Sequence, residues 1–233
     1  MANGYGMMLD RDLTLELLSV AYDVARHDRD PTTSRRTLEM RLRDHVSDQE
    51  AGNKTKKCLT RVWLNPPAEA AAMIGWALDR EDVLGAPAIL HFGALLATYP
   101  FVGVVAKVVG SHLKTEGQVH ARDVRAAVQK VVGGTATVDM AARKSYTTLA
   151  HLGLITKDGQ ALSPTDSLPE IPTPLAPWLI HALLLTRRST AVDASSITTA
   201  PELLGLRVAA KLDSFPLLDV HQELSGRVFV PLA

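Results

Sequence analysis

From Val83 to Ala106 the chain reads VLGAPAILHFGALLATYPFVGVVA, 24 residues without an Asp, Glu, Lys or Arg. A run of that length either crosses a bilayer or is buried by the rest of the chain. The Tyr99-Pro100 pair divides it, because a proline removes a helical hydrogen bond and pushes the residue before it out of the helical region. Neither flank carries the cluster of Lys or Arg that orients a spanning helix. Two buried helices meeting at Pro100 account for the same residues with less strain, so no membrane is expected. The rest of the chain must then supply their cover. At 233 residues, with 46% hydrophobic and 21% charged, it is long enough to do so and has ordinary globular composition.

Lys and Arg together number 25, as do Asp and Glu, so the formal net charge is zero. An anion-binding surface must therefore come from local segregation of charge. Two zones show it. From Arg35 to Val62 eight basic residues face four acidic ones, and from His120 to Gly159 six face three. Cys58 is the only cysteine, which fits a reducing compartment, and the amino-terminal residues MANGYGMMLDRDLTLELL lack the pattern of a secretory signal. A cytoplasmic protein is expected.

Apolar residues at a 3–4 spacing (Leu13, Leu17, Val20, Ala21, Val24) predict a first amphipathic helix over Leu9 to Arg26. Pro31 with Thr32, Thr33 and Ser34 restarts the chain into a second, containing Leu38, Leu42 and Val46. SDQEAGNK reads as a polar spacer before a short third element, TKKCLTRVWL, which NPP ends. AEAAAMIGWALDRED is a fourth helix, rich in strong helix formers. After Pro100 the order is helix (FVGVVAKVVGSHLKT), short extended piece (EGQVH), helix (ARDVRAAVQKVVGG), turn, helix (TVDMAARKSYTTLAH), then a hairpin (LITKDGQAL) whose turn signal is Asp158-Gly159. That is the order of a winged helix-turn-helix. Beyond Ser163, Pro164, Pro169, Pro172, Pro174 and Pro177 suggest a tether over the surface before the apolar helix WLIHALLLT, and GRVFVPLA reads as a short terminal strand. No internal repeat is evident.

The expected fold is thus mainly α: a helical N-terminal region (1–85), a winged helix-turn-helix unit with a small β-hairpin wing (86–163), and a Pro-rich tether with a short C-terminal helical extension (164–233). In the helix before the wing, Val138, Ala142, Tyr146, Leu149 and Leu152 share one side at about 100° per residue. Met140, Arg143, Lys144, Thr147 and His151 point the other way. That second face has what a recognition helix needs: cations for phosphates or guanine edges, and a hydroxyl. Candidate DNA contacts are Arg143, Lys144, Thr147 and His151, with Lys157 and Arg122 beside them. In NKTKKCLTRVW, Lys54, Lys56, Lys57 and Arg61 form a second candidate phosphate surface, and nearby lysines would make Cys58 more reactive unless it is a small core residue.

Signals of catalysis are missing. There is no GxxxxGK loop, no HExxH and no GxSxG, and the eight histidines are scattered, with only His112 and His120 conceivable as a pair. No enzymatic activity, cofactor, metal or small-molecule substrate is expected.

The Arg-rich SRRTLEMRLRD, the apolar ILHFGALLATYPFVGVVAKVV and TVDMAARKSYTTLAHLGLI resemble, over roughly Ser34 to Ser163, the BrxA-like proteins of bacterial BREX phage-defence systems. The Cys58–Trp63 segment and the Pro-rich stretch have no counterpart in that pattern. The resemblance implies a DNA-binding accessory protein of a defence locus. The residues by themselves point to a non-enzymatic, sequence-tolerant binder of double-stranded DNA. The alternative is a protein–protein assembly adaptor on the same fold, with WLIHALLLT docking on a partner or a second copy.

Overall fold

Thr14 opens helix α1 (Leu15–His27) by accepting the Leu17 amide on its hydroxyl, and Leu18, Ala21, Tyr22, Val24 and Ala25 form its buried stripe. Asp30 caps α2 (Pro31–Leu42) through the Thr32 and Thr33 amides, with Pro31 in the first turn. Helix α3 (Gln49–Leu59) begins inside the stretch expected to be a polar spacer, because the Asp48 carboxylate takes the Ala51 amide at 2.6 Å. It continues into a π-turn at Thr60–Leu64, followed by α4 (Ala68–Leu78). The computed structural model describes residues 7–208, 216, 218–223 and 226–231.

The uncharged run folds as expected into α5 (Pro87–Thr98) and α6 (Pro100–Glu116), bent by 116° at their junction. Among the described residues no single helix is long and apolar enough to cross a membrane. Every residue from Ile89 to Thr98 is buried. Gly117, at φ 71°, ends α6 in the left-handed conformation.

Next come β1 (Val119–His120), α7 (Ala121–Val132), α8 (Ala136–His151), β2 (Ile155–Asp158) and β3 (Ala161–Pro164). The strands pair antiparallel in the order β1-β3-β2, with Leu162 opposite both Val119 and Lys157. The hairpin lies where the sequence places it, but its turn is one residue further on. Asp158 pairs with Ala161, leaving Gly159 and Gln160 as the loop, and only Gly159 has positive φ, at 54°.

Helix α9 (Leu175–Arg187) departs most from expectation: Leu175 to Leu184 are all buried. It packs on α5 and α6 as a central helix of the core and is no peripheral extension. Gly93 of α5 marks the closest approach, where a Cβ would lie 2.0 Å from Trp178 Nε1, and that indole N–H donates to the Leu90 carbonyl at 3.3 Å. The proline-rich approach is held against the core by the partly buried Leu168 and Ile171. The prolines lie in a coil over the surface, as expected, and its apolar residues supply the anchorage.

The chain ends with β4 (Val192–Asp193), α10 (Ala194–Thr198), a 3-10 turn at Pro201–Leu203, β5 (Leu218–Glu223) and β6 (Gly226–Pro231), the expected terminal strand; Leu232 and Ala233 lie outside the described residues. The second sheet has the order β4-β6-β5. Both sheets therefore follow one path: the first strand pairs with the last, and its final residue caps the next helix. His120 accepts the Arg122 amide and Asp193 accepts the Ser195 amide. Buried residues from Leu9 to Phe229 form one contiguous core that crosses the boundaries expected near 85 and 163.

Candidate nucleic-acid interface

Thr135 caps α8 through the Val138 amide, and Val138, Ala141, Ala142, Ser145, Tyr146, Thr148 and Leu149 turn inward. The Arg125 guanidinium of α7 holds it from the side, meeting Asp139 at 2.9 Å and donating to the Tyr146 hydroxyl at 3.4 Å. What remains outside is a stripe at helical spacing: Ala136, Met140, Arg143, Thr147 and His151, of which Thr147 is half-buried. Arg143 is exposed, with the Met140 sulfur 3.8 Å from its guanidinium. Lys157 projects from β2 into solvent, and neither cation has a carboxylate partner among the described residues.

Lys144 sits differently. Its side chain is 16% exposed and its ammonium donates to Asp12 at 2.6 Å, while His151 Nε2 lies 3.6 Å from the other oxygen of the same carboxylate. One residue on, the Leu13 amide donates to the Thr148 hydroxyl at 2.9 Å, so the segment before α1 lies along one edge of α8. Burial by itself raises the pKa of Asp12. The hydrogen bond and charge of Lys144, with a backbone hydrogen bond and His151, outweigh that and hold it below the ordinary carboxylate value. Lys144 is thus half-buried and charge-compensated, a positioning cation more than a free contact. Arg122 is exposed, with its neighbour Asp123 at 3.3 Å.

The second group divides as well. Lys54 is ion-paired with Glu50 one turn back on the exposed side of α3. Arg61 belongs to the core edge: its Nε donates to the Thr98 carbonyl at 3.0 Å, satisfying the end of α5, and its guanidinium lies 5.4 Å from the centre of the Tyr99 ring. Lys56 and Lys57 instead face an open groove of about 540 Å³ between α2 and α3, with Arg35, Arg36 and Arg43 on the opposite wall. Those three arginines belong to the basic zone from Arg35 to Val62, within which the sequence alone does not set them apart. The missing information was the α2–α3 packing: Leu38 and Leu42 of α2 and Cys58 and Leu59 of α3 are buried, and the two helices lie side by side with basic residues on their outer faces. Glu39, the only carboxylate lining the groove, takes Lys56 at 2.6 Å and stands 3.9 Å from Arg43; the Lys56 hydrogen bond holds it below its ordinary pKa.

Cys58 is 1% exposed, and burial raises its pKa above the usual thiol value despite the nearby lysines, so the reactive-thiol reading is set aside. His112 pairs with Glu116 at 2.8 Å, and His120 is spent capping α7. Among the described residues no group of three or more His, Cys, Asp or Glu is placed to hold a metal ion.

No protein-family model, curated protein or solved structure matches the chain, so the reading of these surfaces rests on their own geometry.

Proposed function

We propose that the chain is a non-enzymatic, sequence-tolerant binder of double-stranded DNA, working in the cytoplasm, with residues 100–164 acting as a winged helix-turn-helix. In this reading α8 is the recognition helix and the β2–β3 hairpin is the wing. The observation that carries it is the uncovered α8 stripe bearing Arg143, set beside the three-stranded sheet that puts Lys157 on its hairpin. The helix order α6-β1-α7-α8-β2-β3 supports the same assignment. One free arginine and one free lysine make a modest contact set, which favours phosphate contacts and steep salt dependence over base reading. The resemblance noted in the sequence adds a setting to this proposal, that of an accessory or regulatory component of a bacterial phage-defence system.

Trp178 to Leu184 are buried within the chain, which favours the DNA-binding reading over an adaptor that docks through this helix.

The test is fluorescence anisotropy with a random-sequence DNA duplex, comparing wild type with Arg143→Ala plus Lys157→Ala. Both side chains are exposed, so the variant leaves the Asp12–Lys144 pair intact. The expected result is weaker binding and a plot of log K against log salt shallower by up to about 2. Affinity and slope equal to wild type at low salt overturn the α8 assignment.

A further inference from the structure

The groove between α2 and α3 gathers five cations around one open cavity. Arg35, Arg36, Arg43, Lys56 and Lys57 line it against Glu39 alone. Glu39 occupies Lys56 and loosely Arg43, and Asp10 approaches Lys57 at 3.7 Å, with both of those side chains about half exposed or more. Arg35 and Arg36 are exposed and have no acidic partner among the described residues. A fold does not need such a set for stability, since like charges gathered on one surface repel unless an anion is brought to them. Asn53 and Thr60 add neutral polar groups to the same wall. Guanidinium groups beside ammoniums and amide or hydroxyl groups suit the tetrahedral oxygens of phosphate.

Position then indicates which phosphate. Asp10 meets Lys57 at the groove, and Asp12 meets Lys144 on α8. Two residues of chain span at most about 7 Å between their Cα atoms, so one short segment, Asp10-Arg11-Asp12, joins a lysine of the groove to the edge of α8. A smaller cavity of about 310 Å³ shares Glu39, Arg43, Asn53 and Lys56 and continues past Val46, Ser47, Asp48, whose carboxylate caps α3, and Gln49. Two adjoining open cavities suit a polymer backbone better than a single small anion.

We propose that the α2–α3 groove is a phosphodiester-backbone site, in which Arg35, Arg36 and Arg43 grip the same DNA duplex that α8 faces. The inference rests on the DNA-binding reading and deepens it, because it assigns most of the affinity to α2 and α3 and leaves α8 to set orientation.

The experiment is the same titration with three variants of equal charge change: Arg35→Ala plus Arg36→Ala in the groove, Arg143→Ala plus Lys157→Ala at α8 and its wing, and Lys107→Ala plus Lys114→Ala on α6. All six side chains are exposed. At about 0.1 M salt the groove variant should bind roughly ten- to a hundredfold more weakly, with a salt slope shallower by about 2, and the α6 variant should resemble wild type. If the groove and α6 variants lose the same amount, the effect is diffuse charge and the groove assignment is overturned. If the α8 variant loses affinity and the groove variant does not, the groove alone falls. A loss confined to the groove variant upholds the groove and removes α8. A wild-type protein that leaves the duplex unbound at low salt overturns both. Displacement of the duplex by polyglutamate as readily as by unlabelled DNA of matched charge also overturns the phosphate assignment, since the groove would then take acidic polypeptide.

Discussion

Replacing Gly93 with alanine tests the tightest contact in the core. The added Cβ would stand 2.0 Å from Trp178 Nε1, 2.6 Å from Cδ1 and 2.9 Å from Cε2. An ordinary carbon contact is about 3.5–4 Å, so the indole must retreat by more than an ångström or α5 and α9 must separate. The ring has nowhere to go: Trp178 is fully buried, stacks at 5.8 Å on Trp76 and donates to the Leu90 carbonyl. Overpacking of this kind costs about 1–3 kcal/mol, and a strained or broken buried hydrogen bond adds about 1–3. The better helix propensity of alanine returns about 0.5–1 kcal/mol, leaving a net loss of roughly 1–5. For a chain of this size that is a fall in Tm of about 2–20 °C. Thermal and urea unfolding followed by tryptophan fluorescence and circular dichroism read it directly. The matched control is Gly75→Ala in α4, where a Cβ meets nothing within 4 Å, and this variant should be neutral or more stable by up to about 1 kcal/mol. If the two variants unfold together, the close crossing of α5 and α9 at Gly93 is refuted.

Acid should weaken the fold through two buried histidines. Burial holds the pKa of His91 at about 3 and that of His181 at about 4, against about 6.5 in the unfolded chain. The unfolded state then binds more protons below that value, so stability is complete above it and declines as pH falls, by up to about 1.4 kcal/mol per pH unit for each histidine. Urea midpoints at several pH values between about 7 and 4 should show the slope, and His91→Gln should flatten it; an unchanged slope places the proton uptake elsewhere. Cys58, buried with a raised pKa, should react with a dithionitrobenzoate reagent about a thousandfold more slowly in the native protein than in urea. Rapid labelling in native buffer would contradict its placement in the core.

Local chemistry was legible in the sequence wherever a helix announces its own ends and inner face. The break at Pro100, the glycine stop at Gly133 and the apolar stripe of α8 all lie where the residues put them. What could not be read were partners distant in sequence. Lys144 looks like a free cation until Asp12, 132 positions away, is brought to it, and Arg61 looks like a phosphate ligand until the end of α5 claims it. The groove needed α2 and α3 to be set side by side before its arginines could be seen as one surface. The burial of α9 was hidden because prolines mark a chain that is not helical without saying whether it leaves the surface. The shared path of the two sheets left no repeat in the letters either: α7 has 12 residues and α10 only 5, and strand order depends on pairing, which composition does not encode.

The dependence of α5 on α9 also carries a consequence for how the chain is made. On the ribosome, the residues that cover Gly93 and its neighbours emerge roughly eighty residues after α5 itself, a delay of about 4–16 s at ordinary elongation rates. Throughout that interval the face of α5 that meets α9 has no permanent cover, although α1, α4 and α6 can already pack on its other sides. Truncations ending before Leu175 would leave that surface bare for good, so soluble fragments of this protein should begin or end elsewhere than at its proline-rich stretch.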